Sequence, residues 1–270
     1  MKNLRYTVER ALDKIVAKSP IYKNQIMAAA LSSSNYQLDR DQQDDDISTR
    51  YVDVKENKKK GPSISAIYRV KNGEKSLELS IYSIASFVDE IVIIDNNSTD
   101  STIDIAKRLK EELKGCVEIN IYSYNYNIAL AGSGYEERMK QPNTKSLAEF
   151  YNYAFSLGKG DYLIKVDAHY VFTLKSVEKI QNVLQNKMPD VLYFRGFEFF
   201  GKSLSIEPFL FNRNSGWEYV NADRYEILTF KKPLKLKKEC LLIPAFLHVK
   251  RIGYSSMLKV IDKPISALYK

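Results

Sequence analysis

Cysteine, histidine and long apolar runs are all scarce in this chain of 270 residues. Its two cysteines, Cys116 and Cys240, are far apart, so they indicate neither a metal-binding cysteine motif nor a disulfide framework and favour a reducing compartment. The N-terminus lacks the apolar core of a signal peptide, and no uninterrupted apolar stretch approaches the roughly 18 residues of a membrane span. We therefore expect a cytoplasmic protein that is soluble or attached to a membrane surface.

The charge balance is basic, with a formal net charge of +8. Such an excess suits simple solubility, but also an anionic ligand such as a nucleoside diphosphate, an anionic membrane surface or nucleic acid. The sequence has no recognisable nucleic-acid motif such as an RNP sequence or a zinc finger, and we therefore expect no nucleic-acid partner. A hydrophobic content of 44% is enough for the core of one large domain.

Strand-like and helix-like patterns alternate through the middle of the chain, which predicts an α/β protein with a mostly parallel sheet covered by helices on both faces. We divide the chain into an N-terminal helical extension with a polar linker (1–60), a main domain (61–251) and a basic C-terminal tail (252–270). The predicted strands of the main domain cover 63–70, 90–95, 117–122, 161–167 and 190–194, and its predicted helices cover 74–87, 101–113 and 146–157.

Asp95 follows the apolar run Ile91–Ile94, at the predicted carboxyl end of a buried strand. Open α/β sheets bind their ligands at this end, so Asp95 is a candidate for accepting hydrogen bonds from a base or a ribose. Ser98, Thr99 and Asp100 come shortly after it. Capping of the next helix explains these three residues as well as ligand binding does.

Both histidines of the chain follow apolar runs. Asp167-Ala168-His169 ends a predicted strand. A carboxylate with an imidazole suits Mn²⁺ or Mg²⁺ whose coordination shell is completed by a substrate diphosphate. The alternative is a plain turn at the end of the strand. His248 has Lys250 beside it, a pairing that suits a diphosphate, whereas a buried histidine bound to a backbone carbonyl is the alternative. If the two runs meet in space, Asp167, His169 and His248 form one three-ligand metal site.

The segment 94–102 and Asp167-Ala168-His169 together resemble glycosyltransferases of the family 2 type with the GT-A fold. Residues 94–102 read Ile-Asp-Asn-Asn-Ser-Thr-Asp-Ser-Thr, similar to that family's strand-end nucleotide motif Val-Asp-Asp-Gly-Ser-Thr-Asp. Asp167-Ala168-His169 resembles the metal-binding DXD motif in the DXH form found in polypeptide N-acetylgalactosaminyltransferases and some bacterial relatives. The resemblance covers residues 63 to about 251.

The resemblance implies a Rossmann-like, mostly parallel sheet flanked by helices, here with an N-terminal helical extension. It implies metal-dependent transfer of a hexosyl or N-acetylhexosaminyl group from a nucleotide sugar, expected to be UDP-linked, to an acceptor hydroxyl in glycan or polysaccharide synthesis. Asp167, His169 and His248 would hold Mn²⁺ or Mg²⁺. Asn152 matches a family Ala-Arg-Asn-x-Gly helix whose Arg is missing here. The residues implied in binding the nucleotide or its diphosphate are Ala66, Tyr68, Arg69, Glu74, Asp95, Asn152 and Lys250.

An inverting transfer also needs a base that deprotonates the acceptor hydroxyl. The family often places an acidic residue before a helix, in a region that residues 217–228 resemble. Asp223 is the first candidate for this catalytic base, and Glu218 and Glu226 are the alternates. Asp223 reads equally well as a helix N-cap, and the DXH form also occurs in a retaining family, so the stereochemistry stays open.

The expected partners are a nucleotide-sugar donor and a glycan, lipid-linked or protein acceptor. Two other functions compete: a nucleic-acid-binding protein, prompted by the basic charge, and a sugar-phosphate nucleotidyltransferase, whose Gly-rich phosphate loop is missing from residues 68–73. Residues 1–60 could serve oligomerisation or docking, and the basic tail could touch a membrane. Residues 132–144 resemble an inserted loop that could close over the donor.

Overall fold

The computed structural model describes residues 61–198 and 204–250. The helices are α1 (Leu77–Ala85), α2 (Thr102–Glu112), α3 (Tyr135–Met139), α4 (Leu147–Ser156) and α5 (Leu174–Lys187). The strands are β1 (Ile64–Val70), β2 (Glu90–Asp95), β3 (Glu118–Ser123), β4 (Asn127–Ile128), β5 (Thr144–Lys145), β6 (Tyr162–Val166), β7 (Tyr170–Phe172), β8 (Val191–Phe194), β9 (Gly196–Glu198), β10 (Glu207–Asn212), β11 (Trp217–Asn221), β12 (Glu226–Phe230), β13 (Lys238–Cys240) and β14 (Phe246–His248).

A seven-stranded sheet in the order β13-β8-β10-β6-β1-β2-β3 forms the centre of the fold. Strands β6, β1, β2 and β3 are parallel neighbours, whereas β10 runs antiparallel to both β6 and β8. A parallel pair needs a crossover between its strands, and α1 and α2 supply these crossovers for β1, β2 and β3. The predicted α/β class with a mostly parallel sheet is confirmed.

The alternation of side chains along β1 separates two layers of the core. Ala66 and Tyr68 point into the cluster that contains residues of α1, α2 and α5, while Ile67 points into the cluster that contains residues of α4 and β11. All six residues of β2 are buried. Burial on both faces explains why the central strands read as continuous apolar runs.

A smaller sheet in the order β7-β14-β9 lies beside the end of β6. Gly196 permits this pairing, because a Cβ atom at that position would lie 2.1 Å from the ring of Phe246. Strand β14 thereby pairs with both β7 and β9, and the segment around residue 248 comes next to the segment around residue 169.

The region expected to precede a helix is instead a β-hairpin. Strands β11 and β12 pair antiparallel, from Trp217 opposite Phe230 to Asn221 opposite Glu226, and Asp223 lies in the turn between them. The reading of Asp223 as a helix N-cap is therefore wrong. The predicted helical extension (1–60) and basic tail (252–270) lie outside the described residues and stay predictions. Within the described ranges, no helix is long and apolar enough to cross a bilayer.

Candidate active site

The carboxyl ends of three neighbouring parallel strands bring the central polar side chains to one edge of the sheet. Arg69 stands near the end of β1, Asp95 ends β2, and Asp167 directly follows β6. Val70 is paired with Asp95, and Tyr68 is paired with Val166. This edge is where open α/β sheets bind their ligands, so the topology places these three side chains in the expected crevice.

Asp167 is held as a carboxylate by its neighbours. Its Oδ1 atom accepts a hydrogen bond of 2.8 Å from Nη2 of Arg69, and the Tyr170 side chain is its neighbour. Burial alone would raise the pKa of the Asp167 carboxyl, but the positive charges of Arg69 and Lys165 outweigh burial and lower this pKa to about 2. Arg69 and Lys165 thus stabilise the charged form of the Asp167 side chain.

Arg69 connects Asp167 to an aromatic layer on α4. Its guanidinium carbon lies 3.6 Å from the ring centroid of Tyr151, which is cation–π distance, and its side chain is 4% exposed. Nη2 donates to Asp167, whereas the buried Nη1 has no hydrogen-bond partner within the described part of the chain. Because leaving a buried charged donor unpaired is costly, an anionic ligand at Nη1 would remove that cost.

The two histidines meet at the end of β6. The ring centroids of His169 and His248 are 4.5 Å apart, and the Val249 amide donates to the His169 carbonyl at 2.9 Å. Burial, together with the charge of Lys250 and the neighbouring His248, lowers the pKa of His169 to about 4, against the opposing effect of Asp167. His169 is therefore neutral at pH 7, the form in which imidazole can bind a metal.

The donor atoms fit a divalent cation only in part. Oδ2 of Asp167 lies 3.9 Å from Nε2 of His169, so these two atoms can approach one ion, while Nδ1 of His248 lies 3.6 Å from Oε1 of Glu198. Within residues 61–198 and 204–250 there is no ready-made group of three or more His, Cys, Asp or Glu side chains that could hold a metal. The expected three-ligand site is thus not preformed; the carboxylate and the imidazole fit an ion whose shell a diphosphate would complete.

Asp95 presents an unused acceptor. The side chain is 6% exposed, and its Oδ2 atom accepts a hydrogen bond of 3.2 Å from the Ser98 amide. Its buried Oδ1 atom has no hydrogen-bond partner among the residues described. A buried acceptor without a partner costs free energy, and a base or ribose donor would satisfy it.

Two predicted nucleotide contacts lie in the core instead. The side chains of Ala66 and Tyr68 are fully buried, and the Tyr68 hydroxyl is 3.0 Å from Oγ of Ser80. Both point to the α1 side of the sheet because residues two apart in a strand share a face, whereas Arg69 points to the other side. We therefore leave Ala66 and Tyr68 out of the candidate site.

Two more of the predicted contacts fix the architecture around the site. Asn152 joins α4 to β11 by two hydrogen bonds, here named the clasp. Its amide nitrogen donates to the Tyr219 carbonyl at 2.8 Å, and its amide oxygen accepts from the Tyr219 amide at 2.9 Å. Glu74 joins the loops after β1 and β2, since its amide donates to Asp100 and its carboxylate accepts from the Ser101 amide. Lys250 is exposed at the rim of the site.

The three candidate bases occupy different positions on the hairpin. Asp223 is exposed in the turn, and Glu218 is exposed on the face of β11 opposite to Tyr219. Glu226 is on the same face as Tyr219. Burial is the main cause that raises the pKa of the Tyr151 hydroxyl, and the charge of the neighbouring Glu226 adds to it. Its charge also acts on Arg69. Of the three, only Glu226 is directed towards the Arg69–Asp167 pair.

Sequence reasoning missed side chains that line the centre of the site. Tyr151 stacks on Arg69, Tyr170 contacts Asp167, and Lys165 forms a 3.0 Å ion pair with Glu207. A lysine inside the apolar run of a predicted buried strand was the one available signal, because a buried cation needs a carboxylate partner.

Comparison with known proteins agrees with this geometry. Residues 65–129 match the family described as Glycosyl transferase family 2. The match includes β1 from its second residue, all of β2 and Asp95, and it ends before Asp167, so it does not extend to the DXH segment. The predicted similarity to family 2 is confirmed for this part of the chain. No match to a curated protein was found.

Two crystal structures show the same fold. S. aureus TarS 1-349 aligns with 74% of this chain at a TM-score of 0.50 and 14% identity, and S. aureus TarS aligns with 74% at a TM-score of 0.51 and 13% identity. The aligned region covers 64% of the first protein and 39% of the second, so the chain spans less than two thirds of either. At these identities the similarity confirms the predicted GT-A fold alone.

Proposed function

We propose that this protein is a glycosyltransferase that moves a sugar from a UDP-sugar to an acceptor hydroxyl. The observation that carries the proposal is the Arg69–Asp167 pair at the carboxyl edge of the sheet, beside His169 on one side and the unsatisfied Asp95 carboxylate on the other. The family 2 match over β1 and β2 supports the same function. TarS 1-349, which shares the fold, has been crystallised with UDP-GlcNAc and with UDP, which supports a UDP-linked donor.

Each end of the donor has a complementary group. We assign Asp95 to the base or ribose, because its buried Oδ1 atom needs a hydrogen-bond donor. Nη1 of Arg69 and the ammonium of Lys250 face the diphosphate. Asp167 and neutral His169 would hold Mn²⁺ or Mg²⁺, the diphosphate would complete the shell of the ion, and the ion would stabilise the negative charge of the leaving group.

Glu226 is our choice for the base that accepts the proton of the acceptor hydroxyl. It lies next to Tyr151, which stacks on Arg69 of the Arg69–Asp167 pair, whereas Asp223 and Glu218 face solvent. The Tyr151 hydroxyl neighbours the Glu226 carboxylate and is the group that can donate to it. Proton transfer by a positioned carboxylate contributes about 10²–10⁴-fold to a rate.

Release of UDP from UDP-sugars in the presence of Mn²⁺, as the sugar passes to water or to the hydroxyl of an added acceptor sugar, tests both the function and the base. We expect the wild type to release UDP and Glu226→Gln to lower kcat by about 10²-fold or more, because the amide cannot accept the proton. Glu218→Gln and Asp223→Asn are the matched controls on the same hairpin and should keep wild-type rates.

The outcomes separate the two parts of the proposal. If a folded wild-type protein releases no UDP from any UDP-sugar, the function is wrong. If it releases UDP and Glu226→Gln turns over at the wild-type rate, the function stands and the base assignment is wrong.

A further inference from the structure

The segment that joins β12 to β13 concentrates positive charge away from the candidate active site. Residues 231–238, here named the lysine loop, read Lys-Lys-Pro-Leu-Lys-Leu-Lys-Lys and contain five lysines and no acidic residue. The Lys231 amide donates to the Gly216 carbonyl, so the loop starts at the end of the hairpin opposite to the turn that contains Asp223. The loop is therefore a separate surface.

Two leucines of the loop point in opposite directions. Leu236 is 9% exposed and belongs to the core cluster on the α4 side, whereas Leu234 is 86% exposed, more than the other exposed large apolar side chains of the described residues. A backbone hydrogen bond of 3.1 Å from Lys235 to Lys232 closes the turn that presents Leu234. One leucine thus anchors the loop while the other extends into solvent.

Lysines without carboxylate partners flank the exposed leucine along the chain. Lys231, Lys232 and Lys235 are exposed, and none makes an ion pair within residues 61–198 and 204–250. Elsewhere, lysines such as Lys145 and Lys187 pair with glutamates at 3.0 Å and 2.8 Å. Within the described part of the chain, no carboxylate therefore neutralises the positive charge of these three lysines.

A second exposed apolar side chain borders the loop. The side chain of Lys237 donates a hydrogen bond to the Lys187 carbonyl, which places the loop against the end of α5. Met188 follows there in a left-handed conformation and is 67% exposed. Exposed apolar side chains close in the chain to exposed cations suit an interface in which hydrocarbon lies behind a layer of negative charge.

We propose that the lysine loop binds the surface of an anionic lipid bilayer. Leu234 enters the interfacial region, and Lys231, Lys232 and Lys235 lie over the anionic headgroups. Neither component is sufficient alone, because stable peripheral attachment takes an apolar anchor together with a polybasic patch. A polyanion such as RNA would use the lysines and leave Leu234 without a contact, so the exposed leucine favours a bilayer.

Vesicle co-sedimentation of the full chain tests the proposal. We expect binding to phosphatidylcholine vesicles that contain phosphatidylserine and little binding to pure phosphatidylcholine. The triple variant Lys231→Gln/Lys232→Gln/Lys235→Gln should bind about 100-fold more weakly, and Leu234→Ser should bind several-fold more weakly. All four residues are exposed, so the variants should keep the wild-type melting temperature, which is measured in parallel.

Matched controls use exposed residues elsewhere. Lys107→Gln/Lys110→Gln/Lys114→Gln removes three exposed lysines on and next to α2, and Leu79→Ser removes another exposed leucine, at 52%; both should bind like the wild type. The proposal is overturned if the wild type ignores anionic vesicles, or if loop and control variants bind equally. It is also overturned if the lysines matter, Leu234 does not, and the same lysines govern binding to an RNA homopolymer, because the loop is then a polyanion site.

Discussion

The position of Arg69 at the end of β1 could be predicted from the sequence, but its contacts could not. The strand was evident from the apolar run, and alternation then placed Arg69 on one face. Its stacking on Tyr151 and its ion pair with Asp167 depend on α4 and β6, which are distant in the chain. Tyr68, next to Arg69, was wrongly expected to line the site, because neighbouring residues of a strand point to opposite faces and Tyr68 is buried on the other one.

His169 should make the stability of the protein depend on pH. Its pKa is about 4 in the folded protein, below the unfolded value of about 6.5, so between these values the unfolded state binds a proton that the folded state does not. The stability associated with neutral His169 is therefore fully present above pH 6.5 and is lost as the pH falls towards 4. We expect a loss on the order of 2 kcal/mol in the free energy of unfolding between pH 7 and pH 4.5, measured by urea titration.

His169→Gln is the comparison for this measurement, because glutamine does not titrate. The variant should lose less stability than the wild type over the same pH range. The pKa of Asp167 is lowered from its ordinary value of 3.8 to about 2. The stability that the charged Asp167 gives the folded protein is therefore lost only below pH 3.8, outside the range of this measurement. Equal pH dependence in both proteins would contradict the assignment of the shift to His169.

Secondary structure elements could be predicted where their signal is local. Strand β2 was predicted with its observed bounds because six buried residues in a row leave little ambiguity. The hairpin of β11 and β12 was not, because each of its strands has only 5 residues and shows a weak alternation of apolar and polar side chains. The sequence could give the pairing of β14 with β7 only as a condition. The apolar run before His248 was visible, but its partner strand was not.

The clasp between α4 and β11 should hold the hairpin in place. Asn152→Ala removes both hydrogen bonds to the backbone of Tyr219, and we expect a loss of about 1–3 kcal/mol in the free energy of unfolding, because two backbone groups lose their partners. Chemical denaturation would measure it. Asn186→Ala is the control, since Asn186 is exposed and bonds only within its own helix; a similar loss in both variants would refute a specific role for the clasp.

At the scale of the whole molecule, the net charge of +8 has a structural distribution that the sequence did not reveal. Some positively charged side chains form ion pairs inside the fold: Arg69 pairs with Asp167, and Lys165 pairs with Glu207. The lysine loop instead presents its charge to solvent at the far end of the hairpin from Glu226. A single hairpin thus joins the proposed base to the proposed bilayer surface, which would orient a lipid-bound protein with the two functions at opposite ends.

The most direct test of the account measures nucleotide binding at the Arg69–Asp167 edge. The melting temperature is recorded with UDP-, GDP-, CMP- and dTDP-sugars, with and without Mn²⁺, for the wild type, Asp167→Asn and the exposed control Asp223→Asn, each against its own ligand-free value. We predict stabilisation of the wild type and of Asp223→Asn by UDP-sugars with Mn²⁺, lost in Asp167→Asn, because ligand binding to the folded state raises its stability. No response of the folded wild type to any nucleotide sugar would contradict the account.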